Sequence, residues 1–103
     1  MKLEKLQYEF SAEKNKVLIK DRSISFEAII SAINSGSLLD ILEHPNKIKY
    51  PNQQIYVVNM DGYIYLVPSV KRNAETIFLK TIFPSRKLTK LYLDKEGDND
   101  ETT

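Results

Sequence analysis

Two runs of β-branched and aromatic residues, Ile55–Met60 and Tyr63–Val70, stand on either side of Asp61–Gly62. An Asp-Gly pair in that setting favours the positive φ angles of a two-residue hairpin turn. The centre of the chain is therefore committed to an antiparallel ribbon. A ribbon alone cannot bury its own face, so the flanking segments must supply the cover.

Upstream, Tyr8–Phe10 reads as a short strand, Ser11 as an N-cap and Ala12–Lys20 as a first helix. Phe26, Ile29, Ile30 and Ile33 recur at i, i+3, i+4 and i+7, the apolar stripe of a second helix, which Asn34–Ser35–Gly36 terminates. Leu38–Leu42 is expected as a strand, followed by the polar segment Glu43–Asn46. Downstream of the hairpin, a polar loop at Lys71–Glu75 leads to a further strand at Thr76–Phe83. Pro84 ends it, and Ser85 caps a last helix, Arg86–Leu93, with Leu88, Leu91 and Tyr92 on its apolar face. The expectation is one α+β domain over residues 1–93: an N-terminal strand and two helices, an antiparallel β-meander and a short C-terminal helix.

Composition narrows the chemistry. With 103 residues the chain suits a single domain, and with no cysteine it has no disulfide framework, thiolate metal site or Cys nucleophile. No apolar run approaches the length of a bilayer span and the N-terminus does not read as a signal peptide, so a cytoplasmic protein without a membrane partner is expected. His44 is the only histidine, and the glycines are Gly36, Gly62 and Gly97. A histidine-pair zinc site, a glycine-rich phosphate loop and a nucleophile elbow are all missing, so neither metal nor cofactor is expected.

The net charge of +1 conceals a division. Residues 94–103 carry five acids and one base, whereas the preceding 93 residues carry 14 bases and nine acids. The last ten positions have no large apolar residue to offset the entropy of ordering and read as an acidic, disordered tail. Within the basic body, Lys71, Arg72, Lys80, Arg86, Lys87 and Lys90 face only Glu75 across residues 71–93. Such clustering is either a solvated face or the electrostatic footprint of a polyanion.

Lys80 lies in the third meander strand, and Arg86 and Lys87 open the last helix, where unpaired backbone N–H groups also attract anions. Together they suit a phosphate on which charge develops during phosphoryl transfer. Tyr50, Tyr56, Tyr63 and Tyr65 suit base stacking if exposed, or a sheet face if not. His44, the only histidine, is a candidate general acid or base, because the ordinary pKa of an imidazole lies near neutrality, or else a structural or merely exposed loop residue. Asp40 and Glu43, three apart in a strand, fall on opposite faces and do not form a carboxylate pair.

Two segments carry a family resemblance. Tyr8-Glu9-Phe10-Ser11-Ala12-Glu13-Lys14-Asn15, continuing to Ile24-Ser25-Phe26-Glu27, resembles the opening of BrnT-type toxins, and Ile82-Phe83-Pro84-Ser85-Arg86-Lys87-Leu88-Thr89-Lys90 is similar to their Arg-Lys segment. The resemblance implies a RelE/ParE-like fold and a small metal-independent ribonuclease of a type II toxin–antitoxin module. It further implies a cognate DNA-binding antitoxin that neutralises the toxin in a hetero-oligomer. It implies RNA as substrate and sets Arg86 and Lys87 where the family keeps its Arg-Lys pair. Beside them, Lys80 and His44 are catalytic candidates on their own chemistry, and Lys47, Lys49, Tyr50, Arg22 and Lys90 are candidate RNA contacts. The segment departs from the family pattern at three polar positions. Asp21-Arg22-Ser23 stands for Lys-His-Gly, Thr81 for an arginine, and Tyr92 for a glutamate. Lys80, one position before Thr81, is expected on the opposite strand face. These changes leave two expectations: a ribonuclease with a rearranged site, or a non-catalytic module of the same fold that binds an antitoxin-like partner.

Overall fold

A computed structural model describes residues 6–93; the acidic segment 94–103 lies outside them. The described residues form an α+β fold with three helices and one mixed six-stranded sheet. In chain order the elements are β1 (Gln7–Phe10), α1 (Ala12–Arg22), α2 (Phe26–Asn34), β2 (Leu38–Glu43), β3 (Gln53–Met60), β4 (Tyr63–Lys71), β5 (Thr76–Leu79), β6 (Phe83–Pro84) and α3 (Arg86–Leu93). The sheet order is β1-β5-β4-β3-β2, and β6 pairs with β4 further along the same side. The β2–β5 meander is antiparallel as expected, whereas β1 runs parallel to β5 and makes the sheet mixed.

The central hairpin has the expected turn: Asp61 (φ 53°) and Gly62 (φ 89°) both take the left-handed conformation, and Asn59 Oδ1 accepts the Gly62 N–H at 2.8 Å. Alternation along the strands gives the sheet two buried faces. Tyr56 and Val58 on β3, Val67 on β4, and Ile77 and Leu79 on β5 meet Leu18 of α1 and Phe26 and Ile29 of α2 in one core. Burial pushes the Tyr56 hydroxyl up to about 12, with Tyr8 contributing, so this tyrosine is a neutral core residue. The interleaved residues Val57 and Ile64 are also fully buried but face the other side, where α3 packs.

The first helices are joined by a polar clamp at the N-terminal motif. Asn15, 8% exposed, accepts the Phe26 N–H on Oδ1 at 2.8 Å and donates Nδ2 to Glu27 Oε1 at 2.8 Å. That amide, with the Glu27 backbone N–H, holds the Glu27 carboxyl below its ordinary range. Ser11 and Ser25 cap α1 and α2 by accepting from the N–H groups of Lys14 and Ala28, and Phe10 stacks on Phe26 at 4.9 Å. Between the helices Ser23 takes φ 56°, with its N–H on the Ile19 carbonyl at 3.1 Å and the Ile24 N–H on the Leu18 carbonyl at 3.5 Å. A residue with a Cβ thus occupies a position that suits glycine.

Two expectations on the C-terminal side are corrected. The strand expected at Thr76–Phe83 is interrupted: Ser69 pairs with Leu79 and Leu66 with Phe83, so four steps on one strand match three on the other. This bulge lets both Leu79 and Ile82 point into the core, and strict alternation between Lys80 and Thr81 does not hold. On α3, Leu91 is 59% exposed; the face against the sheet is Leu88, Thr89 and Tyr92 instead. The reason is polar: Thr89 Oγ1 accepts the Ile64 N–H at 2.8 Å and donates to the Ser85 carbonyl at 2.7 Å, turning that side of the helix inward.

Candidate nucleic-acid interface

The helix α3 starts where β4 starts. Ser85 donates its N–H to the Ile64 carbonyl at 2.9 Å, and its hydroxyl caps α3 by accepting the Leu88 N–H at 3.1 Å. With Leu88, Thr89 and Tyr92 turned to the sheet, Arg86, Lys87 and Lys90 are exposed, and Arg86 and Lys90 share a flank at i, i+4 spacing. No carboxylate among the described residues pairs with Lys80, Arg86, Lys87 or Lys90. The first turn of α3 contains no acid, so the positive end of its dipole adds to these charges.

Arg22 joins this end of the molecule from the other side. Its Nη1 donates to the Ile82 carbonyl at 2.6 Å, tying the last turn of α1 to the segment between β5 and β6, four residues before Arg86. The guanidinium has five N–H donors, so those not engaged here are available to an anion. Beside it opens a cleft of about 600 Å³ lined by Ile19, Ser23, Ser25, Met60, Asp61 and Tyr65 among others. The rings of Tyr63 and Tyr65 meet edge to face at 5.8 Å, both half-buried. Tyr56, 2% exposed, is not available to a base.

The remaining candidates gather elsewhere. His44 donates its N–H to Gln53, which pairs with Val70, whereas Ser85 bonds to Ile64. The six residues of β4 between those levels set them about 20 Å apart along the strand. There the His44 ring lies against Tyr50 at 4.4 Å, Nδ1 accepts the Asn46 N–H at 3.0 Å, and Lys49 sits 5.4 Å over the Tyr50 ring. Lys47 pairs with Glu43 at 2.6 Å, which raises its pKa but leaves both groups exposed. Lys80, whose N–H reaches the Pro68 carbonyl at 2.8 Å, stands between the two groups on the bulge.

The nine candidate residues thus divide along β4: Arg86, Lys87 and Lys90 stand at its start, His44, Lys47, Lys49 and Tyr50 toward its other end, and Lys80 and Arg22 between them, Arg22 held at Ile82 beside the Leu66–Phe83 pair. Sequence reasoning missed the bulge and the Arg22–Ile82 bond. A signal for the bulge existed in the spacing of Leu79 and Ile82, which breaks the period of two; no local pattern marks the bond, which spans 60 residues.

Among the described residues no group of three or more His, Cys, Asp or Glu side chains is gathered as a metal site, and no helix is long and apolar enough to cross a membrane. Comparison with family models, with curated proteins and with solved structures finds no match to this chain.

Proposed function

We propose that this chain is a metal-independent endoribonuclease toxin of a type II toxin–antitoxin module, with a RelE/ParE-like fold of the BrnT type and a cognate antitoxin that neutralises it. The observation that supports the reading is the exposed flank of Arg86, Lys87 and Lys90 at the capped start of α3, with no acidic partner among the described residues and Arg22 anchored four residues upstream. A basic helix start with no acidic partner among the described residues is suited to a phosphodiester. In RNA the neighbouring 2′-oxygen attacks phosphorus and the P–O5′ bond breaks, leaving a 2′,3′-cyclic phosphate and a 5′-hydroxyl. Arg86 stabilises the charge that builds on the non-bridging oxygens, and Lys87 donates a proton to the departing oxygen, while solvent accepts the 2′ proton.

Lys80 lies about 13 Å along β4 from Arg86, counted over the four residues from Pro68 to Ile64. That backbone separation suits Lys80 to the phosphate of a flanking nucleotide. The His44–Tyr50 cluster is farther still and contacts RNA outside the scissile step.

That separation favours a second reading, a non-catalytic module of the same fold that binds an antitoxin-like protein, because the only imidazole is remote from the basic helix start. Cleavage of end-labelled RNA by the purified chain in EDTA distinguishes the two. The enzyme reading expects cyclic phosphate ends from the wild type and a loss of about 100- to 1,000-fold in Arg86→Ala. A folded wild type that leaves RNA intact while binding its partner supports the module.

A further inference from the structure

The edge of the sheet opposite β1 is β2. His44 donates to the Gln53 carbonyl at 3.2 Å, and the register continues as Glu43 with Gln54, Leu42 with Ile55, Ile41 with Tyr56 and Asp40 with Val57. In an antiparallel ladder the bonded residues alternate, so 40 and 42 face β3 while the N–H and C=O of Ile41 and Glu43 point out of the sheet. Along this edge Leu39, Ile41 and Leu42 are 39%, 40% and 37% exposed. An apolar edge with outward backbone groups is a template for another strand unless something guards it.

The guard is Asp40. Its Oδ1 accepts the outward Ile41 N–H at 2.8 Å, and its Oδ2 accepts the Tyr92 hydroxyl at 3.2 Å. Burial and then this carboxylate raise the Tyr92 pKa, so the hydroxyl stays a donor. One side chain therefore caps the middle of the edge and holds the last turn of α3 to it.

We propose that two copies of this chain pair edge to edge through β2, and that Asp40 is the latch that sets how readily they do so. A second copy fits this edge in register and in charge, and is taken as its occupant. A two-fold antiparallel pairing of the strand Leu38–Glu43 with itself centres on one residue. Centring on Asp40 or Glu43 sets like charges directly opposite each other, which is unfavourable. Centring on Ile41 sets Ile41 against itself and Asp40 against Leu42; centring on Leu42 sets Leu42 against itself, Ile41 against Glu43 and Asp40 against His44, while the register shift between Leu38 and Asp40 leaves Leu39 outside the regular pairing. Both arrangements bring apolar side chains of the edge together, and both use the outward Ile41 N–H. Asp40 must release that group before the strands join.

Sedimentation equilibrium of the full chain, with circular dichroism as the check on folding, tests this. The wild type is expected to dimerise with a dissociation constant of about 1 μM to 1 mM, the range of a short strand interface. Asp40→Ala tightens the dimer about three- to tenfold, the worth of one competing hydrogen bond. Tyr92→Phe, which leaves Asp40 on Ile41, shifts it less than Asp40→Ala does. Ile41→Pro removes the outward N–H without touching the β3 ladder and returns the chain to monomer; Ile41→Lys does the same by charging the edge. Wild type and Asp40→Ala both monomeric to about 1 mM would overturn the proposal, and an extended strand of another protein would then be the occupant to seek. A dimer that a folded Ile41→Lys leaves intact would also overturn it.

Discussion

The two segments that carry the family resemblance behave in opposite ways in the structure. In the N-terminal segment the distinctive residues serve the fold: Asn15 and Phe26 are buried, Ser11 and Ser25 are helix caps, and the exposed Glu27 is held by Asn15. In the C-terminal segment the apolar and small residues do the packing, while Arg86, Lys87 and Lys90 remain exposed with no acid beside them among the described residues. The same degree of likeness on paper thus has two physical origins. One segment sets how α1, α2 and the sheet lock together; the other leaves charge at a helix start where a ligand can reach it.

The contrast predicts which substitutions harm the fold and which harm only activity. The largest effect is expected from Phe26→Ala, which empties a fully buried site stacked on Phe10 and should destabilise the protein by about 3–5 kcal/mol in urea or thermal unfolding. Arg86→Ala should lower RNA cleavage by the equivalent of about 3–4 kcal/mol of transition-state stabilisation while moving unfolding free energy by less than about 0.5 kcal/mol. If Arg86→Ala unfolded the protein instead, the two segments would not be different in kind.

Asn15→Ala comes next. It leaves the Phe26 N–H without its acceptor and frees Glu27, for an expected loss of about 1–3 kcal/mol in the same unfolding measurement. RNA cleavage by the folded fraction should be unchanged, since the clamp faces away from the basic helix start. The smallest effect, and of opposite sign, is expected at the left-handed Ser23. Ser23→Gly removes the Cβ penalty at that φ but adds unfolded-state entropy, for a net gain of about 0.5–1 kcal/mol in unfolding free energy. A destabilised Ser23→Gly would mean that the serine side chain does something that its backbone angle does not explain.

Much of the element order was legible in advance because its signals are local. Asp61–Gly62 demanded a left-handed pair, Ser11, Ser25 and Ser85 each accept an N–H three residues on, and the stripe from Phe26 to Ile33 packs as its spacing required. The α3 face was misjudged at Leu91 because hydrophobic spacing ignores a hydroxyl that bridges a strand N–H and a helix carbonyl. The candidate site was legible only as a set of residue types. Lys80, Arg86 and His44 read as one group along the chain, yet Lys80 sits on a bulge and His44 at the far end of β4.

By itself, then, the amino-acid sequence determined the order of most strands and helices, the central turn, the caps Ser11 and Ser85, and that positive charge accumulates across residues 71–93. Those properties depend on neighbours within a turn or a hairpin, whose energetics are carried by adjacent residues. Only the tertiary structure decided that β1 runs parallel to β5, that Arg22 reaches a carbonyl 60 residues away, and that the basic residues divide between two ends of one strand. Each of those outcomes rests on strand order and register, which are set by the simultaneous burial of two sheet faces rather than by any one stretch of chain.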